Sequence, residues 1–259
     1  MLYEELLDSC RQRFKDFFKD VTIFENQFNW SNFNLSCYNH MYLNNSYSEI
    51  ATVKALKAEI PELKDTCKKC GQFFIPARNK SIPKYDVILG MQHEEALMSF
   101  LSSKLGTKVE RADLVNRSLP DCKVLKPDGS VAAYFEVKFH GAPFVMALNL
   151  TGRFCYEGSA TLDYKKIEKQ LALINDGLDA PVFYVHWIEY PCLKGVFYET
   201  SNQVQEYIKT RKEEFSRELR AGDNEKATKS IYLKKMYSPL LNMGDFESFI
   251  KTLEALVYS

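Results

Sequence analysis

Residues 120–140, PDCKVLKPDGSVAAYFEVKFH, predict two β-strands joined by a tight turn. The strands are expected over Cys122 to Leu125 and over Val131 to Phe139, with Pro127-Asp128-Gly129 between them. Proline presets φ in the turn and glycine accepts a positive φ, so this tripeptide is typical of a hairpin. The segment therefore predicts an antiparallel pair of strands.

The second strand of this hairpin carries two charges on one face. Alternate residues of a strand share a face, so Glu136 and Lys138 project the same way, about 6.7 Å apart along the chain. Phe135, Val137 and Phe139 project the other way, into a core. A carboxylate and an ammonium thus lie together on an otherwise apolar strand.

Two Pro-Asp pairs compete for a role beside Glu136. The turn centre lies near residue 128, with Asp121 seven residues before it and Glu136 eight after it. An antiparallel hairpin then places Asp121 opposite Glu136 or one residue from it, with Cβ atoms about 5 Å apart. Carboxylates that close repel each other unless a cation or a proton lies between them. Asp121 is therefore the candidate functional residue, and Asp128 is explained as a turn residue.

A helix is predicted over residues 91–104, before the hairpin. Glu94 continues its apolar stripe at one end, whereas Glu95 points aside. A carboxylate at the end of a buried stripe costs free energy unless it is paired or binds a metal ion. Glu94 is therefore a further candidate. The stripe consists of Leu97, Leu101 and Leu105.

A second helix is predicted from about Leu162 to Asn175, with Thr161 as N-cap and Gly177 as the stop. Gln170 lies at the edge of its apolar face. An apolar, buried strand is expected over Pro181 to Tyr190.

Four features follow one another in an order that resembles the PD-(D/E)xK nuclease superfamily. They are Gly90-x-x-x-Glu94, Pro120-Asp121, Glu136-Val137-Lys138 and Gln170. The resemblance extends over residues 88–190 and implies a restriction-endonuclease-like α/β core, a mixed sheet flanked by helices. Exonuclease-like branches carry Gln-x-x-x-Tyr, and Ile174 replaces that tyrosine here, which disfavours those branches.

The resemblance also implies a chemistry. Asp121, Glu136 and the carbonyl of Val137 would bind Mg²⁺, for which Mn²⁺ could substitute, because Mg²⁺ prefers oxygen ligands. Glu94 would bind a second ion, directly or through water. Lys138 would orient the attacking water or stabilise the transition state. The implied catalytic set is Glu94, Asp121, Glu136, Lys138 and Gln170.

The N-terminal region holds a candidate zinc site. Cys67-x-x-Cys70-Gly71 has the form of a zinc knuckle, and Cys37-x-x-His40 offers a partner pair. Two such pairs match the spacing of a structural Cys₃His site that binds Zn²⁺. Redox-active or unrelated thiols are the alternative explanation.

Composition favours a globular protein. The chain has 259 residues with 34 Lys and Arg against 34 Asp and Glu, which argues against an indiscriminate basic nucleic-acid binder. No apolar run is long enough for a membrane span, and the N-terminus lacks the features of a signal peptide. We therefore expect a cytoplasmic location and no membrane association. Two regions are predicted: a helical, zinc-binding region at 1–84, and a nuclease core with a C-terminal helical extension at 85–259.

The predicted function is a Mg²⁺-dependent endonuclease that cleaves double-stranded DNA, with type II restriction as the favoured role. Cleavage of both strands usually needs two active sites, so a homodimer is compatible with this role. One alternative is a non-catalytic module that binds nucleic acid or protein on a nuclease-like scaffold. Another is a nuclease that acts on RNA or on branched or damaged DNA.

Overall fold

The computed structural model describes residues 2–23, 83–113, 115–116, 118–140, 159–189, 194–210, 216–217, 233–239 and 242–259. These ranges form a mixed α/β structure around a five-stranded sheet. The predicted zinc ligands lie outside the described residues.

The helices in these ranges agree with the predicted pattern, apart from their starting points. The helix predicted from residue 91 begins at Pro83, and the one predicted from Leu162 begins at Tyr164. None of the described helices is both long and apolar enough to cross a membrane. The helices are α1 Leu2–Ile23, α2 Pro83–Leu105, α3 Tyr164–Asn175, α4 Ser201–Thr210 and α5 Phe246–Val257.

The strands include the predicted hairpin and the predicted buried strand. They are β1 Val109–Arg111, β2 Cys122–Leu125, β3 Val131–His140, β4 Ser159–Asp163, β5 Val182–Glu189, β6 Lys194–Thr200, β7 Ser216–Arg217 and β8 Leu233–Pro239.

The main sheet has the strand order β1-β2-β3-β5-β6. Strands β3 and β5 run parallel, and the other neighbours are antiparallel. The hairpin pairs Cys122 with Phe135. Its turn places Gly129 at φ +87°, a conformation that glycine adopts without strain, and the Gly129 N–H donates to the carbonyl of Lys126 at 2.9 Å. The predicted hairpin is therefore confirmed.

Helices cover both faces of this sheet. On one face, α1, α2 and α5 pack through a single apolar cluster that contains Phe14, Leu101 and Phe249 together with Phe135 and Trp187 of the sheet. On the other face, a smaller cluster joins α3 and α4 to the sheet and to β8. The second face leaves room at its edge for polar groups, and the charged hairpin residues project there.

A second sheet has the order β4-β8-β7 and was not predicted. Thr161 lies inside β4 and pairs with Tyr237, so it is not the N-cap of α3. Asp163 occupies that position, without a capping hydrogen bond from its side chain. The C-terminal part, predicted to be mostly helical, also contains β7 and β8. Strand β8 pairs with β4 through a non-local contact that local sequence patterns do not reveal.

Candidate active site

The hairpin register brings Asp121 next to Glu136. Cys122 pairs with Phe135, and one further step along the register sets Asp121 opposite Glu136. The Val137 N–H donates to Oδ2 of Asp121 at 3.4 Å, which holds the aspartate against β3. Asp128 lies in the turn, where its Oδ1 accepts from the Ser130 N–H at 2.9 Å. The structure therefore separates the two aspartates as the residue count predicted.

Glu136 is the most enclosed charged group of this cluster, with an exposure of 1%. Its Oε1 accepts from the Lys166 ammonium at 2.5 Å and lies 3.3 Å from Nζ of Lys138. Its Oε2 accepts from Nε2 of Gln170 at 3.0 Å. Burial, and then the neighbouring Asp121 carboxylate, raise the pKa of Glu136, while Lys138 and Lys166 offset part of that rise.

Lys166 on α3 joins the two carboxylates. Its Nζ donates to Oδ1 of Asp121 at 2.8 Å as well as to Glu136. Lys166 is not among the site residues predicted from the sequence. A signal was available, because Lys166 precedes Gln170 by four residues and so shares its helix face.

Lys138 lies where the strand alternation predicted. Besides Glu136, its ammonium lies 3.7 Å from Oδ2 of Asp163, which ends β4. Burial disfavours the charged form of Lys138, but Glu136, Asp163 and Asp121 outweigh burial and raise its pKa to about 12. The surrounding carboxylates therefore favour the protonated form of Lys138 in this structure.

Glu94 lies near this cluster but pairs with a different cationic side chain. Its Oε2 accepts from Nη1 of Arg111 at 2.7 Å, and Arg111 was not predicted as a partner. Burial and then Asp121 raise the pKa of Glu94, and Arg111 partly offsets this rise. The neighbouring Glu95 contacts Arg13 at 2.6 Å, and its Oε1 also lies 3.6 Å from Nη2 of Arg111. The side chains of Glu94 and Glu95 are 17% and 38% exposed, which agrees with the predicted inward stripe.

The donor set suits a hard cation, although the carboxylates form a pair rather than a larger cluster. Nowhere in the described ranges do three or more His, Cys, Asp and Glu side chains converge as ligands of one metal ion. Asp121 and Glu136 converge, and their shared partner is an ammonium, itself a cation. The buried amide oxygen Oε1 of Gln170 accepts no hydrogen bond from any described group. Two carboxylates and an unsatisfied amide oxygen are the ligand types that Mg²⁺ and its hydrating waters prefer.

A chain of three side chains continues the polar face beyond Lys138. Nε2 of His140 lies 3.0 Å from Nδ1 of His186, and Nε2 of His186 lies 2.9 Å from Oε1 of Glu199. Burial raises the pKa of Glu199 to about 8, and burial followed by Lys138 lowers that of His186 to about 3. Both groups are therefore neutral near pH 7, with the Glu199 carboxyl donating to His186. His186 is thereby a satisfied core histidine.

The predicted zinc ligands Cys37, His40, Cys67 and Cys70 lie outside the described residues, so zinc binding stays a prediction. The same holds for the role of the Val137 carbonyl as a ligand.

Comparison with known proteins gives a remote structural likeness. No family model and no curated protein match this chain. Among solved structures, a nuclease from a fusselovirus is similar at 12% sequence identity and a TM-score of 0.36, covering 68% of this chain and 92% of that chain.

Proposed function

We propose that the protein is a metal-dependent nuclease whose active site is formed by Asp121, Glu136, Lys138 and Gln170, with Glu94 close by. The observation that carries the proposal is the convergence of Asp121 and Glu136 on one ammonium, with Lys138 beside them. Two carboxylates and a lysine in this arrangement match the catalytic pattern of the PD-(D/E)xK resemblance.

The site residues fit Mg²⁺ or Mn²⁺ as the metal. Asp121, Glu136 and the carbonyl of Val137 would hold it, and Glu94 would serve a second ion if Arg111 released it. A bound Mg²⁺ would supply Lewis acidity at the phosphate and lower the pKa of a coordinated water.

The protein side chains contribute charge and orientation to hydrolysis. Lys138, next to Glu136, would orient the attacking water or stabilise the negative charge that develops on the phosphate. Gln170 fixes Glu136 by donating a hydrogen bond from its Nε2 to Oε2 of the carboxylate. Val137 fixes Asp121 through its N–H.

The proposed substrate is double-stranded DNA, cut internally in the manner of a type II restriction endonuclease. Lys165 and Lys169 are exposed on the same helix as Lys166 and offer contacts to a phosphate backbone. A homodimer would supply the two active sites needed to cut both strands.

Cleavage of supercoiled plasmid DNA in Mg²⁺ tests the proposal, with Asp121→Asn compared with Asp128→Asn. Loss of a charged group from such a site lowers the rate by about 10²- to 10³-fold, so Asp121→Asn is expected to lose nearly all cleavage. Asp128→Asn is the matched control, because it changes the rival Pro-Asp pair in the turn and should cut like the wild type. Equal cleavage by both variants would refute the site.

Substrate choice is measured in the same assay. Single-stranded RNA and branched DNA serve as alternative substrates, and cleavage of either in preference to plasmid would replace double-stranded DNA in the proposal. DNA binding without cleavage in Mg²⁺ or Mn²⁺ would instead favour a non-catalytic binding module.

A further inference from the structure

The position of the Lys166 ammonium bears on how the site would bind metal. The ammonium donates to Asp121 at 2.8 Å and to Glu136 at 2.5 Å, so it lies between the two carboxylates that the proposed function assigns to the metal. We propose that Lys166 alternates between two partners: these carboxylates in the metal-free protein, and a phosphate of the substrate once a divalent ion has displaced it. This inference rests on the proposed nuclease function.

Electrostatics make the two states mutually exclusive. A divalent ion that binds Asp121 and Glu136 needs the same oxygen atoms that the ammonium contacts. The two cations would also repel each other at a few ångströms. Lys166 is therefore a built-in competitor of the metal, and its departure is a condition of metal binding.

The place of Lys166 in the fold favours its release. It is the third residue of α3, near a helix N-terminus, where a positive charge is unfavourable because the helix dipole is positive there. Burial also disfavours the ammonium, and its contacts with Glu136 and Asp121 compensate for these costs. When a metal ion binds those carboxylates, the electrostatic attraction that holds Lys166 next to them is lost.

Gln170 is held more rigidly against Glu136 than Lys166 is. It is 1% exposed and holds Glu136 through a short, uncharged side chain, whereas the Lys166 side chain is 29% exposed on a flexible stem. Lys166 can therefore swing towards solvent while Gln170 keeps Glu136 in place. The exposed neighbours Lys165 and Lys169 mark the direction in which a phosphate backbone would lie.

Titration with Mn²⁺ in the absence of nucleic acid, followed by electron paramagnetic resonance, tests the competition. Lys166→Gln is expected to bind Mn²⁺ about tenfold tighter than the wild type, because the competing charge is gone. Lys166→Arg keeps the charge and should bind no tighter than the wild type. Lys165→Gln, which removes an exposed charge one residue away, is the matched control and should also resemble the wild type.

Thermal unfolding in EDTA verifies that each variant is folded, and Lys166→Gln should gain more from added Mn²⁺ than the wild type does. Unchanged or weaker Mn²⁺ binding by Lys166→Gln would overturn the inference and leave the proposed nuclease function standing. Absence of Mn²⁺ binding in the wild type and in every variant would remove the metal site itself, and both proposals with it.

Binding to a DNA duplex tests the second partner. Fluorescence anisotropy is measured with Ca²⁺, which takes similar oxygen ligands, and again in EDTA. Lys166→Gln should lose several-fold in affinity with Ca²⁺ and nothing in EDTA, because the wild-type ammonium is released only when metal is bound. An equal loss of affinity in both conditions would overturn the alternation.

Discussion

Two glutamates, Glu136 and Glu199, are each 1% exposed on the same face of the sheet. The groups that surround their carboxyl groups differ. The strand register places both opposite Tyr184, Glu136 on one side and Glu199 on the other. Two lysines and an amide surround Glu136, whereas Glu199 contacts the neutral ring of His186. The comparison shows that burial alone does not mark a functional carboxylate.

The two carboxyl groups differ in whether their hydrogen-bond partners can be replaced by a metal ion. The cations around Glu136 can be replaced by a metal ion or can move to a phosphate without leaving a buried charge unpaired. Glu199 and His186 are neutral and lie inside the sheet, so they have no charge to offer a substrate. We therefore assign chemistry to the Glu136 end of this polar face and strand packing to the Glu199 end.

The largest effect is expected at Lys138. Lys138→Met removes the protonated amine next to Glu136 and should lower plasmid cleavage by about 10²- to 10³-fold. Lys251→Gln, an exposed lysine on the helix that covers the opposite face, is the control and should cut normally. If the two variants cut equally, Lys138 has no part in the chemistry.

The same substitution at the two glutamates should have opposite effects on stability. Glu136→Gln leaves Lys138 and Lys166 with less compensating charge and should destabilise the metal-free protein by about 1–3 kcal/mol. Glu199→Gln replaces a neutral carboxyl with a neutral amide that can still donate to His186, so the variant should be more stable than the wild type near pH 7, where Glu199 must take up a proton on folding. Urea unfolding in EDTA measures both free energies of unfolding, and equal losses would contradict the contrast.

The pH dependence of stability tests whether Glu199 is protonated in the fold. Its pKa is near 4.5 when unperturbed and about 8 in the fold, so the folded protein keeps a proton that the unfolded chain has lost across this window. Stability from this group therefore falls as pH rises from about 4.5 to about 8, and Glu199→Gln lacks this fall. The free energy of unfolding of the variant should therefore increase relative to that of the wild type, by at most about 1.4 kcal/mol per pH unit.

Urea unfolding between pH 5 and 8.5 measures that gain. Glu206→Gln, an exposed glutamate on α4, is the control and should run parallel to the wild type. A parallel profile for Glu199→Gln as well would mean that Glu199 is ionised in the fold.

A smaller effect is expected at Glu94. Arg111→Gln removes the ion pair at 2.7 Å and should cost about 1 kcal/mol, because the pair is partly shielded from water. Lys108→Gln removes a more exposed pair with Glu110 on the same sheet edge and should have no measurable effect. Thermal unfolding distinguishes them, and equal melting temperatures would show that Glu94 needs no partner.

The hairpin and its charged face could be predicted from the sequence because their determinants are local. The turn tripeptide and a register shift between Val124 and Leu125 set the pairing, and the two-residue period of a strand then fixes which side chains face together. Asp121, Glu136 and Lys138 therefore come together through about twenty consecutive residues. Glu94 could be placed on an inward helix face for the same reason.

The groups that complete the site could not be placed in this way. Lys166 reaches the carboxylates only because α3 crosses back over the sheet between the parallel strands β3 and β5, a packing that local patterns leave open. His186 and Glu199 meet through the pairing of β5 with β6. Arg111 meets Glu94 because β1 lies beside α2, so each missed partner depends on long-range packing.

Cleavage of plasmid DNA by Glu136→Gln and by Glu199→Gln tests whether the chemistry lies at the Glu136 end of the polar face. Both variants are first shown to be folded by circular dichroism, and cleavage is then followed in Mg²⁺ at pH 7.5. We expect Glu136→Gln to lose cleavage by at least about 10²-fold and Glu199→Gln to cut at close to the wild-type rate. Wild-type cleavage by Glu136→Gln, or a comparable loss in both variants, would contradict this assignment.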